Sequence, residues 1–191
     1  MSQVTKRALE ASLKKILQTK PFEKVTIKDI TDDCGVNRMT FYYHFKDIYD
    51  LVEWICYEDA KEILAEKRTY ENWQERMLQI FQEVRKSKVF VDNVYRAVGK
   101  ERIEDFLHPL VRDLLMQVMK DLEMDRKLPE EDETFIANYY TYAFTGILFD
   151  WIKHDMKEEP EKIIRQMSLV VAGTVEEAIQ RFRKITEETN L

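Results

Sequence analysis

The chain has 191 residues, of which 45% are hydrophobic and 35% charged, with only four glycines and four prolines. That composition excludes a disordered polymer and leaves few breakers for a turn-rich β fold, so an all-α protein is expected. A net charge of −6 argues against indiscriminate nucleic-acid binding, yet residues 1–47 carry nine Lys and Arg against six Asp and Glu, a net of +3, so the remainder holds −9.

The first predicted helix runs from Val4 to about Thr19, where Ala8, Leu9, Leu13, Ile16 and Leu17 recur at helical spacing, and it stops before Pro21. Thr26-Ile-Lys-Asp29 has the form of a capping box and opens a short second helix reaching about Cys34. Gly35 supplies the left-handed residue that ends it, Val36 plugs the core, and Asn37 can cap a third helix through Phe45. Asp47 with Asp50 repeats the capping pattern and starts a longer fourth helix through Leu51, Trp54, Ile55, Ala60 and Leu64. Beyond it the period stays helical, with segments near 70–87, 88–98, 102–123, 130–153 and 160–186. The sum is about nine helices: an N-terminal three-helix domain over 1–47 and a helical regulatory and dimerisation domain over 48–191.

No run approaches the roughly 18 apolar residues of a membrane span, and the start, with Lys6 and Arg7, lacks the apolar stretch of a signal peptide. A cytoplasmic protein with no membrane partner is expected. Cys34 and Cys56 lack metal or CxxC spacing and read as packing residues. Three scattered histidines, with no nucleophile motif and no Gly-rich phosphate loop, argue against an enzyme and require no cofactor. Glu104 and His108, four apart, are two potential metal ligands without a third, so no metal is expected.

The segment Val25 to Leu51 forms helix, three-residue turn, helix. It closely resembles the DNA-binding signature of the TetR family, in register at Thr26, Asp29-Ile30, Gly35-Val36, Thr40-Phe41-Tyr42, His44-Phe45 and Leu51. The resemblance implies a homodimeric transcription regulator that grips double-stranded operator DNA, commonly a repressor released by a small-molecule effector. Two positions depart from the family pattern: Cys34 replaces the usual Ala, and Ile48 stands where a phosphate-binding Lys is common, with Lys46 the candidate substitute.

The residues themselves support the same reading. A recognition helix needs an apolar anchor on one side and donors or flat rings on the other. Phe41 and Phe45 form the anchor, leaving Asn37, Arg38, Thr40, Tyr43 and His44 for the groove, with Met39 and Tyr42 counted in the same DNA-binding set; the competing reading makes Tyr42, Tyr43 and His44 an aromatic core face, which Tyr42 fits in part. Arg38 can donate twice to guanine O6 and N7, whereas Thr40, Tyr43, His44 and Lys46 suit phosphate oxygens. The N-terminal end of the second helix, at Thr26 and Lys28, offers a further phosphate site.

Phe135 to Trp151 is apolar almost all round, so this helix needs two partners. Phe135, Tyr139, Tyr142 and Phe149 are assigned to its own domain, and Tyr140, Ile147 and Trp151 to the other face, with Gly146 permitting close approach. The final segment adds a stripe of Ile163, Met167, Val170, Val171 and Thr174. In TetR-like proteins the last two long helices build a four-helix dimer interface, a role the resemblance carries onto these residues; burial in the subunit's own core is the competing reading. Trp73, Phe81, Phe90, Tyr95, Phe106, Met116, Tyr139 and Tyr142 could line an effector cavity or simply fill the core. The C-terminal half of the body, with its Gly146 to Trp151 pattern and the Pro160-Glu161 start of the last helix, also resembles a TetR branch that includes DhaS-like regulators of dihydroxyacetone kinase operons, which implies an activator or adaptor whose body binds a protein partner instead.

Overall fold

The computed structural model describes residues 2–63, 72–122 and 128–189, with side chains left aside at a few helix ends and at Phe106. Within them lie ten α-helices and one 3-10 turn, and no strand. In order they are α1 (Ser2–Ile16), the 3-10 turn Phe22–Lys24, α2 (Ile27–Cys34), α3 (Arg38–His44), α4 (Ile48–Ile63), α5 (Trp73–Lys86), α6 (Lys88–Val98), α7 (Lys100–Leu122), α8 (Glu130–Lys153), α9 (Pro160–Val171) and α10 (Thr174–Thr189). Leu64 of the expected fourth helix lies outside the described residues. The expected final helix over 160–186 is two helices. Gly173, at φ +74°, breaks the run, and the Thr174 hydroxyl donates to the Val171 carbonyl at 2.9 Å. A Gly followed by Thr is the local signal for that break.

The chain divides into two compact units, one of Met1–Glu62 with Val84–Phe106, the other of Ile63–Glu83 with Leu107–Leu191. The segment 1–47 is therefore part of a larger unit that also takes in most of α4 and all of α6. In this first unit Leu9 and Leu13 of α1, Leu17 just beyond its end, Ile30 of α2, Phe41 of α3 and Leu51 and Ile55 of α4 are all buried, and α1 packs on α2 and α3. Burying each such side chain contributes about 1.5–3 kcal/mol. Between α1 and α2 the buried Ser12 hydroxyl donates to the Ile30 carbonyl at 3.0 Å. Charge joins α1 to α4: Lys14 lies 3.0 Å from Asp59 and Arg7 3.4 Å from Glu58. From α7, Arg102 reaches Glu53 of α4 at 2.6 Å, and in α6 the Asn93 side chain accepts from the Phe22 amide at 3.2 Å.

The second unit is organised around α8. Ile136, Ala137, Tyr140, Thr141, Phe144, Thr145, Leu148, Phe149, Trp151 and Ile152 are its buried side. Thr141 and Thr145 are tolerated there because each hydroxyl donates to the carbonyl four residues back, at 2.8 Å. Phe135, Tyr139 and Tyr142 instead face outward, 62%, 64% and 61% exposed. That reverses the assignment of Phe135, Tyr139 and Tyr142 to the domain's own side and of Tyr140 and Trp151 away from it; Phe149 is inward as expected. The helix is apolar on both sides, so periodicity locates two stripes without telling which one meets α9 and α10. The turn after α8 holds Asp155 and Met156 at positive φ and is closed by Trp151 Nε1 donating to the Glu158 carbonyl at 2.8 Å. His154 caps the exposed end of α8.

Glu104 meets Lys100 at 3.1 Å, and His108 turns to the Thr145 hydroxyl at 3.0 Å. Cys56 is half-buried, and desolvation, with Asp59 adding repulsion, pushes its thiol up to about 12.

Candidate nucleic-acid interface

The site is built by three successive caps. At α2, Asp29 Oδ2 accepts from the Thr26 amide and hydroxyl, both at 2.7 Å, while Thr26 Oγ1 accepts from the Asp29 amide at 3.2 Å. A hydrogen bond from Lys20 at 2.6 Å, then those from Thr26, hold the Asp29 carboxyl well below the usual carboxylate range. Gly35 ends α2 at φ +70°, where a side chain would be strained. Val36 donates its amide to the Thr31 carbonyl at 3.0 Å. At α3, Asn37 Oδ1 accepts from the Thr40 amide at 2.8 Å and the Thr40 hydroxyl at 3.0 Å. At α4, Asp47 accepts from the Asp50 amide and Asp50 from the Lys46 amide, both at 2.9 Å. Each cap satisfies donors a helix start leaves open and fixes the direction of the next helix.

The anchor of α3 is Phe41, fully buried, with Phe45 3% exposed and the ring centroids 5.9 Å apart. Outward stand Met39, Tyr42 and Tyr43, 75%, 53% and 83% exposed. Arg38 is exposed; His44 is half-exposed, with its ring 4.9 Å from that of Tyr43. Among residues 1–47 the cations divide into those that are engaged and those that are not. In and just after α1 they are neutralised: Lys14 by Glu10 and Asp59, Lys15 by Asp33 at 2.5 Å, Lys20 by Asp29. Lys6 lies 5.3 Å from the ring centroids of both Phe45 and Trp54. Lys24, Lys28, Arg38 and Lys46 are the second group. Their charged ends engage no carboxylate or ring among the described residues, and all four are exposed. Positive charge left uncompensated around α2 and α3, beside exposed rings, suits a polyanion with readable edges.

The sequence-predicted DNA set thus falls within one helix-turn-helix, but its members differ in what remains free. Thr26, Asn37 and Thr40 are engaged in caps. Lys28, Arg38, Met39, Tyr42, Tyr43 and Lys46 are exposed, and Ile48, in the common place of a lysine, is half-buried.

In the second unit, Tyr140, Ile147, Trp151, Ile163, Met167, Val170, Val171 and Thr174 all line one half-open groove of about 600 Å³ between α8 and α9. Tyr140, Trp151, Ile163, Met167 and Val171 make its floor, whereas Ile147 and Val170 stand at its lips, 39% and 73% exposed. The residues expected at an effector cavity or in the core fall in both units. Trp73 lies against Phe144 with centroids 5.9 Å apart, and Phe81 is fully buried against Trp151 at 5.0 Å. Met116 is half-buried, and Tyr139 and Tyr142 face outward. Phe90 and Tyr95 belong to the first unit, where Lys14 lies 5.5 Å from the Phe90 ring; the side chain of Phe106 lies outside the described residues. Hydrophobic periodicity marks all of these as buried or apolar without telling core from lining.

A helix-turn-helix with an anchored, outward-facing second helix on an otherwise helical chain defines a DNA-binding transcription regulator. Residues 10–55 match the bacterial regulatory proteins of the tetR family, and residues 71–173, more than half of the chain, match a transcriptional regulator C-terminal region of the same family. The chain belongs to the TetR family of transcription regulators and is not an enzyme. It is 24% identical over 146 residues to the HTH-type dhaKLM operon transcriptional activator DhaS of Lactococcus lactis subsp. lactis (strain IL1403), a match covering 75% of this chain and 77% of that one. The fold is similar to the solved structure of the dihydroxyacetone kinase operon activator DhaS, with a TM-score of 0.72 and 21% identity, covering 91% of this chain and 97% of that one. No helix among the described residues is long and apolar enough to cross a membrane.

Proposed function

We propose that the protein binds an inverted-repeat operator as a homodimer, each copy placing α3 in the major groove. The unpaired Lys28, Arg38 and Lys46 around a rigidly capped α3 carry this reading. Arg38 reads a guanine, Tyr43 and His44 approach phosphates, and Lys46, tethered by its amide to Asp50, takes the phosphate duty that Ile48 cannot. The second copy covers the groove between α8 and α9, because Ile147 and Val170 at its lips and Tyr139 in its lining would otherwise remain in water. Such a protein works where the chromosome is, in the cytoplasm.

The experiment is selection of bound duplexes from a randomised pool, followed by sedimentation of the complex. Two half-sites with centres about 34–36 Å apart, or a further helical turn, and two protein copies per duplex are expected. Enrichment of unrepeated sites bound by one copy would overturn the reading.

Regulation by a small molecule that releases a repressor is one reading of the body. Activation through a protein partner is the second, and two observations favour it. The relative is named an activator, and Phe135, Tyr139 and Tyr142 are presented outward. Titration of the operator-bound fraction with metabolite extract and, separately, with a protein fraction distinguishes them.

A further inference from the structure

Met39 is an apolar side chain that lies 75% exposed on the second residue of α3. At 3.6 residues per turn, Met39 and Tyr43 are each two positions, about 200°, from Phe41. Phe41 is the fully buried anchor, so Met39 and Tyr43 form the ridge that points most directly away from the core. Tyr43 carries a hydroxyl that phosphate or water can satisfy. Met39 carries none, so it gains only by covering another apolar surface. Its neighbours narrow the reading further: the Asn37 oxygen is occupied by Thr40, and the Thr40 hydroxyl is spent on Asn37. Arg38 and the Asn37 amide nitrogen are the adjacent groups left with free donors. The base edges of the major groove are polar except for one substituent, the C5 methyl of thymine.

We infer that Met39 is a specificity-determining residue that reads thymine by packing its thioether against that methyl, next to the guanine read by Arg38. The inference rests on the proposed placement of α3 in the major groove. An unbranched, polarisable side chain with three rotatable bonds can follow the methyl without strain. It adds discrimination that hydrogen bonding from this helix does not supply, since uracil and thymine present identical donors and acceptors.

The test uses the full-length protein and the duplex selected from the randomised pool, with each thymine replaced in turn by deoxyuridine. At one thymine per half-site, loss of the methyl weakens binding about fourfold, and about fifteenfold when both half-sites are changed, from the transfer free energy of one buried carbon. In Met39→Ala that sensitivity disappears, whereas Met39→Leu and Tyr42→Phe retain it. Equal binding of every deoxyuridine duplex by the unchanged protein overturns the inference, as does a methyl dependence that survives in Met39→Ala. Absence of any enriched duplex is a different failure, that of the DNA placement itself, and removes the inference with it.

Discussion

Lys14 of α1 and Asp59 of α4 are joined, Nζ to Oδ2, at 3.0 Å, and the same ammonium meets Glu10 at 2.7 Å. Burial alone would lower the Lys14 pKa, but the hydrogen bonds to Glu10 and Asp59 outweigh it and raise it. A raised lysine contributes stability that is fully present at neutral pH and is lost only as pH climbs above the ordinary lysine range. Glu10, 7% exposed, also meets Arg7 at 2.9 Å. Replacing Lys14 by Ala leaves this buried carboxylate one cation short and is expected to cost about 1–3 kcal/mol. Urea unfolding measures it. A loss below about 0.5 kcal/mol, the size of a solvated pair, would show that α1 and α4 are held by packing alone.

Asp29 ties the start of α2 to Lys20, and its depressed pKa has a direction that can be checked. A lowered carboxylate contributes stability that is present above its unfolded value, near 3.9, and fades as pH falls through the folded one. Removing the first cause, in Lys20→Met, should raise the Asp29 titration midpoint toward the ordinary range, read by carbon NMR of the carboxyl. An unmoved midpoint would assign the depression to the Thr26 bonds instead. Thr26→Ala should separately cost about 1 kcal/mol as a lost cap.

The unpaired cations differ from the paired ones in a property that salt reveals. Lys28→Ala and Lys46→Ala should each flatten the dependence of operator affinity on salt by about one unit per half-site without altering base preference. Arg38→Ala should relax preference at one position and cost about 1–3 kcal/mol. Retained preference in Arg38→Ala rules it out as a base reader.

Val170, 73% exposed, is a better probe of the α8–α9 face than its neighbour Val171, which is 9% exposed and part of the subunit's own core. Val170→Asp and Gly146→Arg, the latter at a position where an added Cβ meets nothing within 4 Å, should yield monomers that keep their helical circular dichroism and lose operator binding. Dimers persisting in both would place the interface elsewhere. Val171→Asp should instead unfold the second unit.

Cys56 should be nearly inert. With its thiol pushed up to about 12, the thiolate fraction at pH 8 is about 10⁻⁴, so maleimide labelling of a Cys34→Ala variant should run about a thousandfold slower than a free thiol. Labelling at the ordinary rate would mean that α4 opens locally.

The helix-turn-helix was legible residue by residue because its determinants are local. The Thr26 box, Gly35 at positive φ, the Asn37 cap and the Asp47–Asp50 pair each act within a few positions, where spacing alone specifies geometry. The helical class and most element bounds followed from the 3.6-residue period in the same way. The break at Gly173 was also written locally, in the Gly-Thr step, although the apolar stripe runs across it.

What only the tertiary structure decided is which partner each surface meets. Both stripes of α8 are apolar, so hydrophobicity could not say that Tyr140 and Trp151 turn inward and Phe135, Tyr139 and Tyr142 outward; that depends on where α9 and α10 return in space. Charge behaves likewise. Lys14, Lys20, Lys28 and Lys46 are identical in sequence, yet Asp59 lies 45 residues from Lys14 and Asp29 nine from Lys20, and folding neutralises those two while leaving Lys28 and Lys46 for a polyanion. Local signals fix backbone direction because they act over one turn of helix, whereas burial and pairing are properties of neighbours that sequence distance does not encode.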